Sequence, residues 1–162
     1  MSVEYSVDKN VAVLTVNHPP VNALSLVVRV GLMDGVNKAL ADPEVKAIIL
    51  RGGAKTFIAG ADISEFGTEK SKQGPRLKEI QKALETSSKP IIAAIHGTAL
   101  GGGFEIALAC HSRIAVASGK VGLPEVKLGI LPGAGGTVRT PRLTGPETAL
   151  KIITSGKHIP AG

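Results

Sequence analysis

The sequence predicts an α/β fold, and three observations carry that prediction. Short β-rich runs alternate with helical runs that have one apolar face. Gly and Pro clusters punctuate the joints between them. Aromatics are only 2% of the 162 residues, so the core must be aliphatic, and a chain of this length makes one domain.

The elements follow in order. Val11–Val16 is β-rich and weakly alternating, a strand that His18-Pro19-Pro20 breaks. Asn22 or Ser25 can cap the next helix. Its apolar face is Leu24, Val28, Leu32, Val36 and Leu40, at steps of four; Gly31 and Gly35 weaken it, and Asp42-Pro43 ends it. Residues 45–50 form a short strand closed by Gly52-Gly53. Residues 64–76 are polar and read as a mobile loop. Leu77, Ile80 and Leu84 mark a helix stopped before Pro90, and residues 90–95 form another strand. Residues 97–136 hold ten of the chain's 20 Gly, with a helical run at 104–109, a strand at 113–117 and then a turn-rich stretch. Pro146 suits the first turn of a last helix that stops at Gly156.

Composition excludes several classes. The single Cys110 rules out an internal disulfide, and its apolar neighbours read as a buried small residue rather than a nucleophile. No apolar run reaches about eighteen residues, so no transmembrane helix is expected. His18, His96, His111 and His158 lie far apart without ligand spacing, so no metal is expected. Net charge is +6, and +5 of it lies in 111–162, where seven Lys/Arg face two acids. That is compatible with an anionic, phosphate-bearing ligand, with a solvated basic surface, or with a face covered by further chain. Basic residues without interleaved aromatics or a recognition motif argue against nucleic acid.

The Gly-rich stretch matches neither phosphate motif. No window completes G-x-x-x-x-G-K-[ST], and both G-x-G starts, at Gly101 and Gly133, end on an apolar residue where the dinucleotide pattern needs Gly. A tight turn that opens a helix still leaves N–H groups without acceptors, which suits a developing oxyanion. Close helix–strand packing explains the same glycines as well. Glu105 stands in an apolar helix and Glu125 in Gly122-Leu-Pro-Glu-Val126. Carboxyl groups in such settings have raised pKa values and suit proton transfer. Spacing alone leaves them even with structural carboxylates.

Four segments carry a resemblance to a known family. They are Pro19-Pro-Val-Asn-Ala-Leu24, Phe57-Ile-Ala-Gly-Ala-Asp-Ile63, Gly97-Thr-Ala-Leu-Gly-Gly-Gly-Phe-Glu105 and the run from Gly122-Leu-Pro-Glu125 to Pro132-Gly-Ala-Gly-Gly-Thr137. In this order and spacing the chain resembles the crotonase superfamily, the enoyl-CoA hydratase/isomerase fold. Cys110-His-Ser-Arg113 is similar to the hydratase/isomerase part of peroxisomal-type and bacterial multifunctional fatty-acid oxidation enzymes.

The resemblance implies a crotonase-type spiral of ββα units. It implies that Glu105 and Glu125 are catalytic and that the Ala61 and Gly102 N–H groups form an oxyanion hole. Ala23, Ala59, Asp62, Ile63, Ser64 and Gly133 would contact substrate; the family often has Lys where Ser64 stands. The expected reaction adds water to a trans-2-enoyl-CoA in fatty-acid beta-oxidation, with 3-enoyl to 2-enoyl isomerisation as a companion. Coenzyme A belongs to the substrate, and no separate cofactor is implied. The implied partners are acyl-CoA, a dehydrogenase part elsewhere in a longer chain, and further copies of the chain. Location would be cytoplasmic in a bacterium and peroxisomal in a eukaryote. Family domains continue into closing and trimerisation helices, so residues 1–162 read as a core truncated at its C-terminus. That raises a second reading, a non-catalytic acyl-CoA-binding or assembly module.

Overall fold

A computed structural model describes residues 2–53 and 55–161. Its main sheet has five strands in the order β1-β2-β3-β4-β6: β1 (Val3–Asp8), β2 (Val11–Val16), β3 (Ala47–Gly52), β4 (Ile91–Ile95) and β6 (Ser112–Ala115). Among the described residues of this sheet only β1 and β2 pair antiparallel, in register from Val3 against Val16 to Asp8 against Val11. The others are parallel, with helical segments in the crossovers. A second sheet pairs β5 (Thr98–Leu100), β7 (Lys120–Gly122) and β8 (Ile159–Pro160).

The two sheets grow together. β4 and β5 lead into helix α4 (Gly102–Ala109); the next pair is β6 and β7, one strand in each sheet. Parallel bridges Ile58 to Ala99 and Leu24 to Ala61 continue the second layer back through the earlier units. The result is a spiral of ββα units, as expected from the resemblance.

Helix α1 (Leu26–Ala41) buries Val28, Leu32 and Val36 as its spacing predicts. Gly35 is a close-approach site: a Cβ there would lie 2.6 Å from Leu14 Cδ2 of β2. So the residue that weakens the helix locally lets it lie on the sheet. Helix α3 (Leu77–Glu85) buries Ile80 and Leu84. With Phe57, Ile48, Leu50, Ile91 and Ile106 they make an aliphatic core around one fully buried Phe.

Several expectations need correction. β1 is a strand the reading missed; its hairpin turns on Lys9 and Asn10, both at positive φ (46° and 66°), without the usual Gly. Residues 64–76 are not a bare loop. They take in the end of a 3-10 turn, Ile63–Glu65, and the whole of helix α2 (Glu69–Lys72). Ser25 takes the N-cap position of α1 but makes no capping bond with its side chain; Glu65 supplies the carboxylate instead. The turn-rich stretch includes helix α5 (Gly136–Thr144), and α6 (Pro146–Ser155) follows as predicted.

Candidate active site

Helix α4 is buried along its whole length, because GGFEIALA offers small and apolar faces all round. It starts at Gly101, whose φ of 49° and ψ of −128° suit Gly. The only acid on this helix, Glu105, is 2% exposed. Its Oε1 accepts the N–H of Ala134 at 2.9 Å and of Gly136 at 2.8 Å. Burial raises the Glu105 pKa; the two N–H groups and the nearby cations Arg139 and Lys78 pull it back in part.

Glu125 comes from the 3-10 turn Pro124–Leu128 after β7, closed by Gly129 in the left-handed region. It is 9% exposed, and its Oε2 is buried with no hydrogen-bond partner. Burial raises its pKa most, its own backbone N–H pulls it back in part, and the charge of Glu105 raises it further. The two carboxyls therefore differ in support. One oxygen of Glu105 is clasped by two N–H donors, whereas Glu125 keeps an oxygen open.

Both glutamates line one cavity of about 350 Å3. Ala59, Ala61, Ile63, Gly102 and Gly133 line it too, so the fold gathers seven of the ten predicted site residues. Ala61 is placed by its bridge to Leu24 and by the Leu24 N–H bond to the Gly60 carbonyl at 2.9 Å. The backbones of Ala61 and Gly102 adjoin: a Cβ on Gly102 would lie 3.7 Å from the Ala61 nitrogen. Neither N–H has an acceptor among the described residues. Two free N–H groups beside two carboxyls can polarise a carbonyl and move protons next to it.

Three predicted residues lie outside this cavity. Asp62 and Ser64 line an adjoining groove with His18, Ser25 and Lys70. There Asp62 Oδ1 accepts the Ser64 N–H at 3.0 Å and its hydroxyl at 2.6 Å. Ala23 lines neither space; its carbonyl accepts the Ser25 N–H at 2.8 Å.

The reading missed the apolar walls Phe66, Leu77, Leu128, Ile130 and Leu131. A lone Phe in a polar stretch was the available signal for Phe66. It also missed Arg29, 7% exposed, whose guanidinium holds the carbonyls of Lys70, Gln73 and Pro75. Nothing local marks an Arg that points into a helix–loop junction. Cys110 is buried and its thiol is pushed up to about 12, as an inert small residue would be. Among the described residues no group of three His, Cys, Asp or Glu side chains could hold a metal ion, and no helix is long and apolar enough to cross a membrane.

Residues 6–162 match the family model for enoyl-CoA hydratase/isomerase. The chain is similar to a peroxisomal bifunctional enzyme of Danio rerio, with 50% identity over 155 residues, 96% of this chain and 21% of that protein. It is similar to a probable enoyl-CoA hydratase of Bacillus subtilis (strain 168), 45% identical over 98% of this chain and 63% of that one. Among solved structures, an enoyl-CoA hydratase from Bacillus anthracis superposes with a TM-score of 0.89 at 33% identity, covering 99% of this chain and 65% of that one. The chain thus spans less than two thirds of the length of the curated relatives it matches first.

Proposed function

Since the chain belongs to the enoyl-CoA hydratase/isomerase family, we propose that its carboxylate cavity hydrates trans-2-enoyl-CoA thioesters to 3-hydroxyacyl-CoA. One observation carries this reading: a clasped Glu105 and an open Glu125 share a cavity with the free N–H groups of Ala61 and Gly102. The thioester oxygen accepts those two N–H groups. That draws electrons from the double bond and leaves Cβ open to attack. Glu105, ionised and oriented by Ala134 and Gly136, takes a proton from water as its oxygen bonds to Cβ. Glu125, whose buried setting favours its neutral form, gives a proton to Cα. Each oxyanion donor is worth about 3 kcal/mol in such sites.

Water adds whole across the double bond, and both carboxyls end in exchanged protonation states that solvent resets. Glu125 alone, moving a proton between two carbons of the acyl chain, supports 3-enoyl to 2-enoyl isomerisation as a companion. Asp62 and Ser64, in the adjoining groove, are proposed to meet the coenzyme A side, with Ala23 behind them. Ala59, Ile63 and Gly133 are proposed to meet the acyl end. Coenzyme A is part of the substrate in this reading.

The proposed partners are those the resemblance implies. They are a dehydrogenase part in a longer chain and further copies of this one, and the fatty-acid beta-oxidation setting is bacterial cytoplasm or peroxisome. Exposed Leu128 (56%), Leu131 (73%), Leu143 (52%) and Leu150 (63%) support a covering partner over the 128–150 region.

Loss of enoyl-thioester absorbance on mixing crotonyl-CoA with the protein tests the reading. Glu105→Gln and Glu125→Gln should each slow it by about 10²–10⁴-fold with the fold intact. Wild-type rates in both variants would reject the assignment. Thermal stabilisation by acyl-CoA without any turnover would favour the non-catalytic binding module.

A further inference from the structure

A second, open cavity of about 470 Å3 lies between α3 and the start of α5, and its wall is rich in donors. Lys78, Lys82, Arg139 and Arg142 line it, with Glu85 as the only acid. Glu85 is already engaged. Its two oxygens accept Arg139 Nε at 2.6 Å and Nη2 at 2.8 Å, and Arg139 Nη1 donates to the Ala134 carbonyl at 3.0 Å. Lys78, Lys82 and Arg142 have no acceptor among the described residues. Three cations therefore face one space without a hydrogen-bonded partner, although Arg142 feels the charge of Glu85 and Lys78 that of Glu105.

The N-terminus of the nine-residue α5 opens on the same space through Gly135 and Thr137. The turn divides its N–H groups. Those of Ala134 and Gly136 serve Glu105, while those of Gly135 and Thr137 find no acceptor among the described residues. An independent sign comes from Gln81 on α3. It is 1% exposed, it lines this cavity, and its Nε2 has no partner. A dry amide nitrogen without an acceptor is costly, and a bound oxyanion supplies one.

We propose that this cavity binds a phosphate group, at a site separate from the carboxylate cavity and on the far side of the turn at 133–136. Lysine ammonium groups, an Arg fork, helix N–H groups and an amide NH2 supply donors, and three cations without hydrogen-bonded partners favour a divalent tetrahedral anion over a carboxylate. The ligand is either free phosphate or a phosphomonoester on a small metabolite.

Isothermal titration of the 162-residue chain with sodium phosphate, against chloride of equal ionic strength, tests this without any thioester. It therefore stands apart from the hydratase reading. Saturable 1:1 binding is expected. Lys78 and Arg142 are exposed, so Lys78→Gln/Arg142→Gln should fold normally and bind phosphate roughly tenfold or more weakly. Lys120→Gln/Lys157→Gln removes the same charge elsewhere and should bind as wild type. Gln81→Met should also weaken binding; should it fail to fold, the charge variants decide alone. No binding beyond chloride, or equal weakening in the two charge-paired variants, overturns the proposal. A parallel titration with glycerol 3-phosphate separates the sources: tighter binding than phosphate marks a monoester ligand, weaker binding a free anion, and both support the site.

Discussion

Arg29 and Glu65 meet at 3.4 Å beneath the segment that borders the carboxylate cavity, and Glu65 also caps α1 through the Leu26 N–H at 2.9 and 3.0 Å. This pair joins three things. It ends the helix N-terminus with a charge, it neutralises a buried guanidinium, and it ties down residues 65–75. The carbonyls of Lys70, Gln73 and Pro75 complete the guanidinium's donors. Phe66 lies within the tied stretch and Leu77 just after it, and both are cavity walls.

Arg29→Ala should therefore loosen the wall as well as the fold. Removing one member of a buried pair costs about 3–5 kcal/mol, here read by urea unfolding. Proteolysis should move to residues 65–75, and KM for the enoyl thioester should rise more than kcat falls. An unchanged unfolding midpoint would show that the pair holds nothing.

Glu125 makes stability depend on pH in a defined direction. Its folded pKa is raised above the unfolded value, chiefly by burial. The folded state therefore binds its proton more tightly than the unfolded chain does. The stability this brings is fully present below the unfolded pKa and is lost as pH rises through the folded pKa. Glu125→Gln has no such loss. Its melting temperature should exceed wild type at neutral pH, and the gap should close in acid. A constant gap across the range would mean that the carboxyl does not titrate on folding.

Gly101→Ala probes the entry to α4. The φ of 49° and ψ of −128° are strained for any side chain, and the new Cβ would lie 3.2 Å from Glu125 Oε1. A loss of about 1–3 kcal/mol in stability is expected from the backbone alone. The crowding should also lower kcat through Glu125, measured as hydration rate at saturating thioester. Full activity with reduced stability would separate the two effects and place Glu125 beyond reach of that methyl.

Much of the layout was legible because it follows from local rules. Val28, Leu32 and Val36 at helical spacing fall on the buried face, and Pro146 and Gly156 bound α6 as their backbone preferences require. β1 escaped because Lys9-Asn10 makes its turn without Gly, and α5 because its Gly-rich start reads as a turn. The 64–76 stretch escaped because its order comes from Arg29, more than thirty residues earlier in the chain. Long-range side-chain bonds leave no periodic trace.

By itself the sequence determined the α/β class, the aliphatic core and the two glutamates in apolar settings. Each of these depends on residue type and near spacing, which set propensity and burial. Only the tertiary structure decided how the two acids differ. Glu105 meets two N–H groups from a turn 29 to 31 residues away, while the buried Oε2 of Glu125 meets none. Hydrogen bonding depends on directions and tenths of an ångström, which arise once the spiral brings α4 against the 133–136 turn.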